Sequence, residues 1–199
     1  RFVDAFTDIG MGRIVDSSKP GKEGRYRPWI RRMRIPVVLA GVLVFIPWVA
    51  NLPYALKIVY IFVTYILWGS FCYTAINIPY GSMASAISTD PVERAQLSTF
   101  RSVGAALAGV IVGFVAPMIV YVKDEAGNQV LVGERMFILS LIFAVCAFIC
   151  YTICYKWSTE RVVTETKTVE KKASAKDLVK GLVGNRALVS IIVAAIVLL

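Results

Sequence analysis

Four blocks of mostly apolar residues, 33–52, 55–78, 99–122 and 136–157, are separated by short charged or proline-bearing stretches, and each block predicts a helix. Each supplies the roughly 20 apolar residues needed to cross a hydrocarbon core about 30 Å thick. Shorter apolar runs at 1–15 and 187–199 reach the two ends of the chain, so the sequence is expected to be a fragment. The stretch 16–32 is rich in Gly, Pro and charge and is expected to be an irregular turn. The connection at 51–53 is so short that its two helices must be antiparallel neighbours. Within 88–97, Asp90-Pro91 marks a turn and a helix start. Residues 123–135 form a loop on the opposite side, and from 158 to 186 the chain turns polar, with Glu and Lys alternating. The predicted class is an all-α polytopic membrane protein in three regions: 1–157 in the membrane, 158–186 as a connecting loop, and 187–199 as the truncated start of a further helix.

Charge orients this pattern. Seven Lys or Arg fall between Lys19 and Arg34 and eight between Lys156 and Arg186, whereas the connections on the other side hold only Lys57, Lys123 and Arg135. Cations are retained on the cytoplasmic side, so 16–32, 88–97 and 158–186 face inward. Four spans lie between the two basic stretches, and an even number returns the chain to the same side. The net charge of +9 does not indicate a nucleic-acid partner, because the cations adjoin hydrophobic spans and form no soluble face.

Apolar residues make up 57% of the chain, against about 45–50% in soluble domains. Cys72, Cys146, Cys150 and Cys154 lie inside predicted spans, the last three at intervals of four on one helix face, and read as packing residues. No histidine is present, and no nucleophile–base pair, metal triad or phosphate-cradling loop can be assembled, which argues against an enzyme and implies no cofactor. Gly104, Ala105, Gly109 and Gly113 form a smooth strip suited to close approach by another helix. Trp48, Trp68 and Trp157 fit the interfacial belts.

The chemistry begins with Asp4 and Asp8, which share a helix face, with Thr7 three residues from Asp4. One aspartate at the centre of a bilayer costs on the order of 3 kcal/mol, so a pair must face a polar interior. At a separation of about 6 Å and an effective dielectric of 20, the two charges repel by about 3 kcal/mol. A shared proton or a bound monovalent cation removes much of that repulsion. The alternative is that Asp4 pairs with Arg1 and Asp8 is solvated at the cytoplasmic surface. Tyr73, Thr74 and Asn77 make a second polar cluster, ahead of Pro79, which can free a backbone carbonyl. Arg101 begins the next span as a fork of the kind that grips hydroxyls or carboxylates, or as an interfacial cation.

At these residues the chain resembles the glycoside-pentoside-hexuronide:cation symporter family, the group containing melibiose permease, within the major facilitator superfamily. The matching stretches are Arg1-Phe2-Val3-Asp4-Ala5-Phe6-Thr7-Asp8-Ile9-Gly10-Met11-Gly12, Gly24-Arg25-Tyr26-Arg27-Pro28-Trp29-Ile30, Tyr73-Thr74-Ala75-Ile76-Asn77-Ile78-Pro79-Tyr80, and Arg101. The resemblance implies a major facilitator fold covering helices two to six, the central loop and the opening of helix seven. It implies Asp4, Thr7, Asp8 and Thr74 as cation ligands, with Asp4 and Asp8 carrying the charge for sodium or a proton. It implies Tyr73, Asn77 and Arg101 as sugar contacts. Gly12, Asp16, Gly24, Arg25 and Arg27 resemble the superfamily's cytoplasmic gating loop. Three positions depart from melibiose permease: Thr7 replaces an asparagine, Asn77 an acidic sugar ligand, and Gly81 a tryptophan.

The implied activity is symport of a glycoside, oligosaccharide or hexuronide, driven by a sodium or proton gradient, with alternating access between two halves. The implied setting is a cell membrane, the bacterial inner membrane, and the implied partners are the sugar, the coupling cation, the bilayer and the missing remainder of the chain. Two competing readings remain. In one, the same fold carries lysolipids or other amphiphiles past Phe2, Phe6 and Phe71; in the other, the protein is a non-transporting membrane sensor.

Overall fold

A computed structural model describes residues 2–18, 20–21, 23–123, 127–162 and 189–190. Two compact units divide the chain, Arg1–Thr164 and Glu165–Leu199. Of the second, only Val189 and Ser190 are described, as helix. The central loop beyond Val162 and most of the expected further helix therefore lie outside the described residues.

The first unit consists of α1 (Phe2–Ser17), α2 (Arg27–Val44), a 3₁₀ turn (Pro47–Asn51), α3 (Tyr54–Tyr65), a π-helical segment (Ile66–Tyr73), α4 (Thr74–Ile87), α5 (Pro91–Val120), a hairpin and α6 (Gly133–Trp157). The stretch from α3 through the π segment to α4 is one continuous helix. Four helical stretches are long and apolar enough to cross a membrane: Arg27–Asn51, Tyr54–Ile87, Pro91–Val120 and Gly133–Trp157. They coincide with the four apolar blocks, so the chain is a multi-pass membrane protein.

The boundaries differ from the hydropathy pattern in an instructive way. The basic turn expected over 16–32 is shorter, because α1 continues to Ser17 and α2 starts at Arg27 with Pro28 in its first turn. Pro fits there because its missing N–H has no intrahelical acceptor in the first turn anyway. The inward turn expected over 88–97 shrinks likewise. Asp90 caps α5 by accepting the Val92 amide at 2.9 Å, and Pro91 is the first helical residue. Charged first turns of helices thus carry the spans beyond their apolar cores. On the outward side, Tyr121–Lys123 (β1) pairs antiparallel with Gln129–Leu131 (β2), a hairpin the sequence pattern does not announce.

α2 is the hub, packed against α6, α4, the π segment and α3. Two clusters hold it. At the cytoplasmic end, Val15, Tyr26, Ile30, Met83 and Ala86 are buried together, joining α1, the turn, α2 and α4. In mid-span, Val37 and Ala40 of α2 meet Cys72 and Ile76, with Trp68 packed against them. Lipid tails are as apolar as these side chains, so close van der Waals fit holds the helices together, with no hydrophobic drive from water. Trp68 is thereby corrected from an interfacial residue to a packing one, while Trp48 and Trp157 are exposed near span ends. Of the cysteine stripe, only Cys154 packs against a cluster; Cys146 and Cys150 are exposed. A side chain at Gly104, Gly109 or Gly113 would meet nothing within 4 Å, so no described part of the chain covers that strip.

Gly41 is where α2 and the indole of Trp68 come closest: a Cβ there would lie 3.0 Å from Nε1. Gly41→Val is expected to destabilise the full-length protein by about 1–3 kcal/mol through overpacking, read as a lower apparent Tm in detergent. An unchanged Tm would show that the contact is loose.

Candidate functional site

Asp4 and Asp8, one turn apart on α1, both meet donors from the neighbouring helix. Ser70 Oγ donates to Asp4 Oδ1, and Thr74 Oγ1 donates to Asp8 Oδ1 at 2.8 Å. The residue numbers rise together along the two rungs, so α1 and this helix are parallel, as two segments both descending to the cytoplasm must be. Ser70 and Thr74 are buried, at 3% and 6% exposure, whereas Asp4 is half-buried and Asp8 exposed. A hydroxyl that gives its proton to a carboxylate keeps lone pairs on its own oxygen. The four side chains therefore gather an all-oxygen set with two negative charges, chemistry suited to a hard cation.

Thr7 is placed differently. Its hydroxyl donates back to the carbonyls of Val3 and Asp4 at 3.1 and 2.9 Å, within its own helix. Ser70 takes the position beside Asp4, and sequence reasoning passed over it. The available signal was its spacing of four from Thr74, which mirrors Asp4 and Asp8. What hid it was the π-helical Ile66–Tyr73, whose widened turns an apolar pattern does not reveal. The alternative pairing of Asp4 with Arg1 falls on a residue outside the described ones.

On the adjoining face of the same helix, Tyr73 and Asn77 line a cavity of about 680 Å³ that α5 and α6 close with Phe100, Arg101 and Tyr151. The guanidinium of Arg101 donates to Asn77 Oδ1 at 3.2 Å and lies 5.1 Å over the ring of Tyr80. The three residues singled out as sugar contacts thus meet at one opening, with Arg101 directed at α4. A Cβ at Gly81 would sit 3.5 Å from the same guanidinium. Asn77 thus offers Arg101 an amide oxygen, so the fixed positive charge of Arg101 is hydrogen-bonded but not neutralised by it.

The loop residues assemble around a side chain not singled out from the sequence, Glu160. Its carboxylate accepts the backbone amides of Arg25, Tyr26 and Arg27 at 2.8, 2.7 and 2.9 Å. α2 has no side-chain cap of its own, and a carboxylate from beyond α6 satisfies its exposed amides and complements the positive end of its dipole. Gly24 is required here twice: its φ is +96°, and a Cβ would run into the Glu160 carboxylate. The side chain of Arg27 donates to the Tyr155 carbonyl at 3.3 and 3.0 Å, and Arg31 pairs with Glu23 at 2.9 Å. The amides of Arg161 and Val162 both donate to the Ala86 carbonyl at 2.9 Å, at the end of α4. Gly24, Arg25 and Arg27 therefore belong to one clamp. A Cβ at Gly12 would meet nothing within 4 Å, and Asp16 is exposed and makes no hydrogen bond or ion pair among the described residues.

The site thus joins two acids on α1, a parallel helix that presents hydroxyls to them, a cavity with Tyr73, Asn77 and Arg101 on its wall, and a clamp around Glu160. The family model for "MFS/sugar transport protein" matches residues 1–199, and the chain belongs to that family. It is 34% identical over 165 residues to the glucuronide carrier protein homolog of Escherichia coli (strain K12), covering 82% of this chain and 34% of that protein. It is 32% identical over 181 residues to the isoprimeverose transporter of Lactiplantibacillus pentosus, covering 89% and 36%. It is 29% identical over 196 residues to an uncharacterized symporter of Bacillus subtilis (strain 168), covering 96% and 40%. The chain thus spans between a third and two fifths of the length of these relatives.

Glu160→Ala is expected to remove three charge-assisted bonds, each worth about 1.5–3 kcal/mol when its donors are left dry, less where water replaces the carboxylate. The readout is limited trypsinolysis of the full-length protein at Arg25 and Arg161, which should accelerate in Glu160→Ala and in Gly24→Ala alike. Wild-type cleavage rates in both would contradict the clamp.

Proposed function

We propose that the full-length protein couples passage of a sugar or glycoside to a sodium ion or proton by alternating access. One observation carries this reading. Ser70 and Thr74 touch the acids, while Tyr73 and Asn77, on the adjoining face of the same continuous helix, line the cavity. A cation at Asp4 and Asp8 relieves their repulsion and fixes this helix against α1, which sets the cavity wall. By linkage, a sugar that favours the same arrangement must raise cation affinity by the same factor. Tyr73, Asn77 and Arg101 hold the sugar, and the loop of Gly12, Asp16, Gly24, Arg25 and Arg27 controls the cytoplasmic side. The relatives named as a glucuronide carrier homolog and an isoprimeverose transporter support a sugar-type cargo, and the fixed cation of Arg101 suits an acidic or hydroxyl-rich one. Phe6 and Phe71 are exposed and do not line the cavity, so the amphiphile path gains no support from it.

Uptake of a radiolabelled glycoside panel by full-length protein in vesicles, with and without a sodium gradient and across pH, tests the proposal. Asp4→Asn and Asp8→Asn should each reduce accumulation to simple equilibration; gradient-driven accumulation by either variant would defeat the assignment.

The two threonines separate the geometry from the resemblance. Thr74→Val removes a hydrogen bond to a charged group worth about 1.5–3 kcal/mol, so cation affinity should fall about tenfold or more. Thr7→Val removes only a bond within its own helix and should change that affinity by about twofold at most. Equal losses in the two variants would place Thr7 at the ion after all.

A further inference from the structure

We propose that a furrow between α2 and α6 binds one anionic phospholipid of the cytoplasmic leaflet. The furrow has a volume of about 500 Å³ and is walled by hydrocarbon side chains, among them Leu39 and Leu43 of α2 and Leu141, Val145 and Phe148 of α6. These five are all exposed, so the furrow opens outward. Its cytoplasmic end is marked by charge. Arg34 lies 5.1 Å over the ring of Phe148, and its Nη1 donates to Thr152 Oγ1 at 3.0 Å. Its Nε, by contrast, is buried with no acceptor among the described residues. Arg32, two residues earlier, is exposed and makes no hydrogen bond or ion pair among the described residues. Arg31 is already engaged by Glu23.

The dimensions select the occupant. From Arg34 to Leu43 is nine residues, about 13–14 Å at 1.5 Å per residue. That is close to half of a hydrocarbon core about 30 Å thick, the depth of one leaflet. The basic end lies on the cytoplasmic side by the distribution of Lys and Arg. An acyl chain fits the apolar length, and a phosphodiester at the mouth offers its oxygens to the Arg34 guanidinium beside Phe148 and to Arg32, which at seven residues before Leu39 shares its face of α2. A helix of the same protein or a second copy fills the hydrocarbon part equally well but leaves the two guanidiniums unanswered.

Native mass spectrometry of the full-length protein, released from micelles containing equal phosphatidylglycerol and phosphatidylcholine, provides the test. The wild type should retain one phosphatidylglycerol per protomer in clear preference to phosphatidylcholine. Arg32→Gln combined with Arg34→Gln should lower that preference about thirtyfold, the scale expected for two cations near a membrane surface. Val145→Trp, which fills the furrow and leaves both arginines in place, should lower retention as well, and Lys57→Gln should leave it unchanged. Equal retention of the two lipids by the wild type overturns the proposal without recourse to any variant. So does wild-type retention in the arginine pair, or a lipid-free dimer that Val145→Trp dissociates, which would assign the furrow to a second copy.

Discussion

Two carboxylates one turn apart on a membrane helix repel each other by about 3 kcal/mol at 6 Å, and the docking of α1 follows from where the two acids find hydrogen-bond donors. α1 is placed so that each acid meets a hydroxyl from a buried position, Ser70 or Thr74. Two hydroxyls orient the carboxylates but bring no positive charge, so Ser70 and Thr74 leave the repulsion in place. Each acid is thus held by a donor from the parallel helix, and this polar seam fixes how α1 lies against it.

The hydroxyls reach the acids from a π-helical segment. Widening the turn over Ile66–Tyr73 shifts the following residues around the helix axis relative to a regular α-helix. Ser70 and Thr74 then fall toward α1, while Tyr73 and Asn77 fall toward α5 and α6. Pro79, fully buried in α4, has no amide to offer the Ala75 carbonyl four residues earlier. Pro79 thus removes one helix bond just beyond the stretch that carries Ser70, Tyr73, Thr74 and Asn77.

What the sequence made legible was whatever depends on local periodicity or on composition over a span. The four crossings, their orientation and the cap at Asp90 follow from apolar blocks, cation asymmetry and the Asp-Pro pair. The acid pair and the Tyr73–Asn77 cluster were legible because polar groups stand out in apolar helices. Ser70 was not, since a lone serine in a span is ordinary and its role depends on a π turn. Glu160 was hidden for another reason: it binds backbone amides, which every residue has, and lies 133 residues from Arg27. Trp68 was misplaced because it was read by residue type as a belt residue, although it stands ten residues inside the nearer end of block 55–78.

The Glu160 clamp sits at the cytoplasmic ends of the helices, whereas the acid pair meets Ser70 and Thr74 in the middle of the continuous helix Tyr54–Ile87. At the cytoplasmic end, Val15, Tyr26, Ile30, Met83 and Ala86 form a closed cluster, and Glu160 and the Arg161 and Val162 amides bind the exit of α6 to α2 and α4. That end is tied by contacts that tolerate little sliding. Further along, α5 packs on α4 and α6 around the cavity, so in the proposed coupling a shift that begins at Asp4 and Asp8 acts on helices whose cytoplasmic ends are tied together.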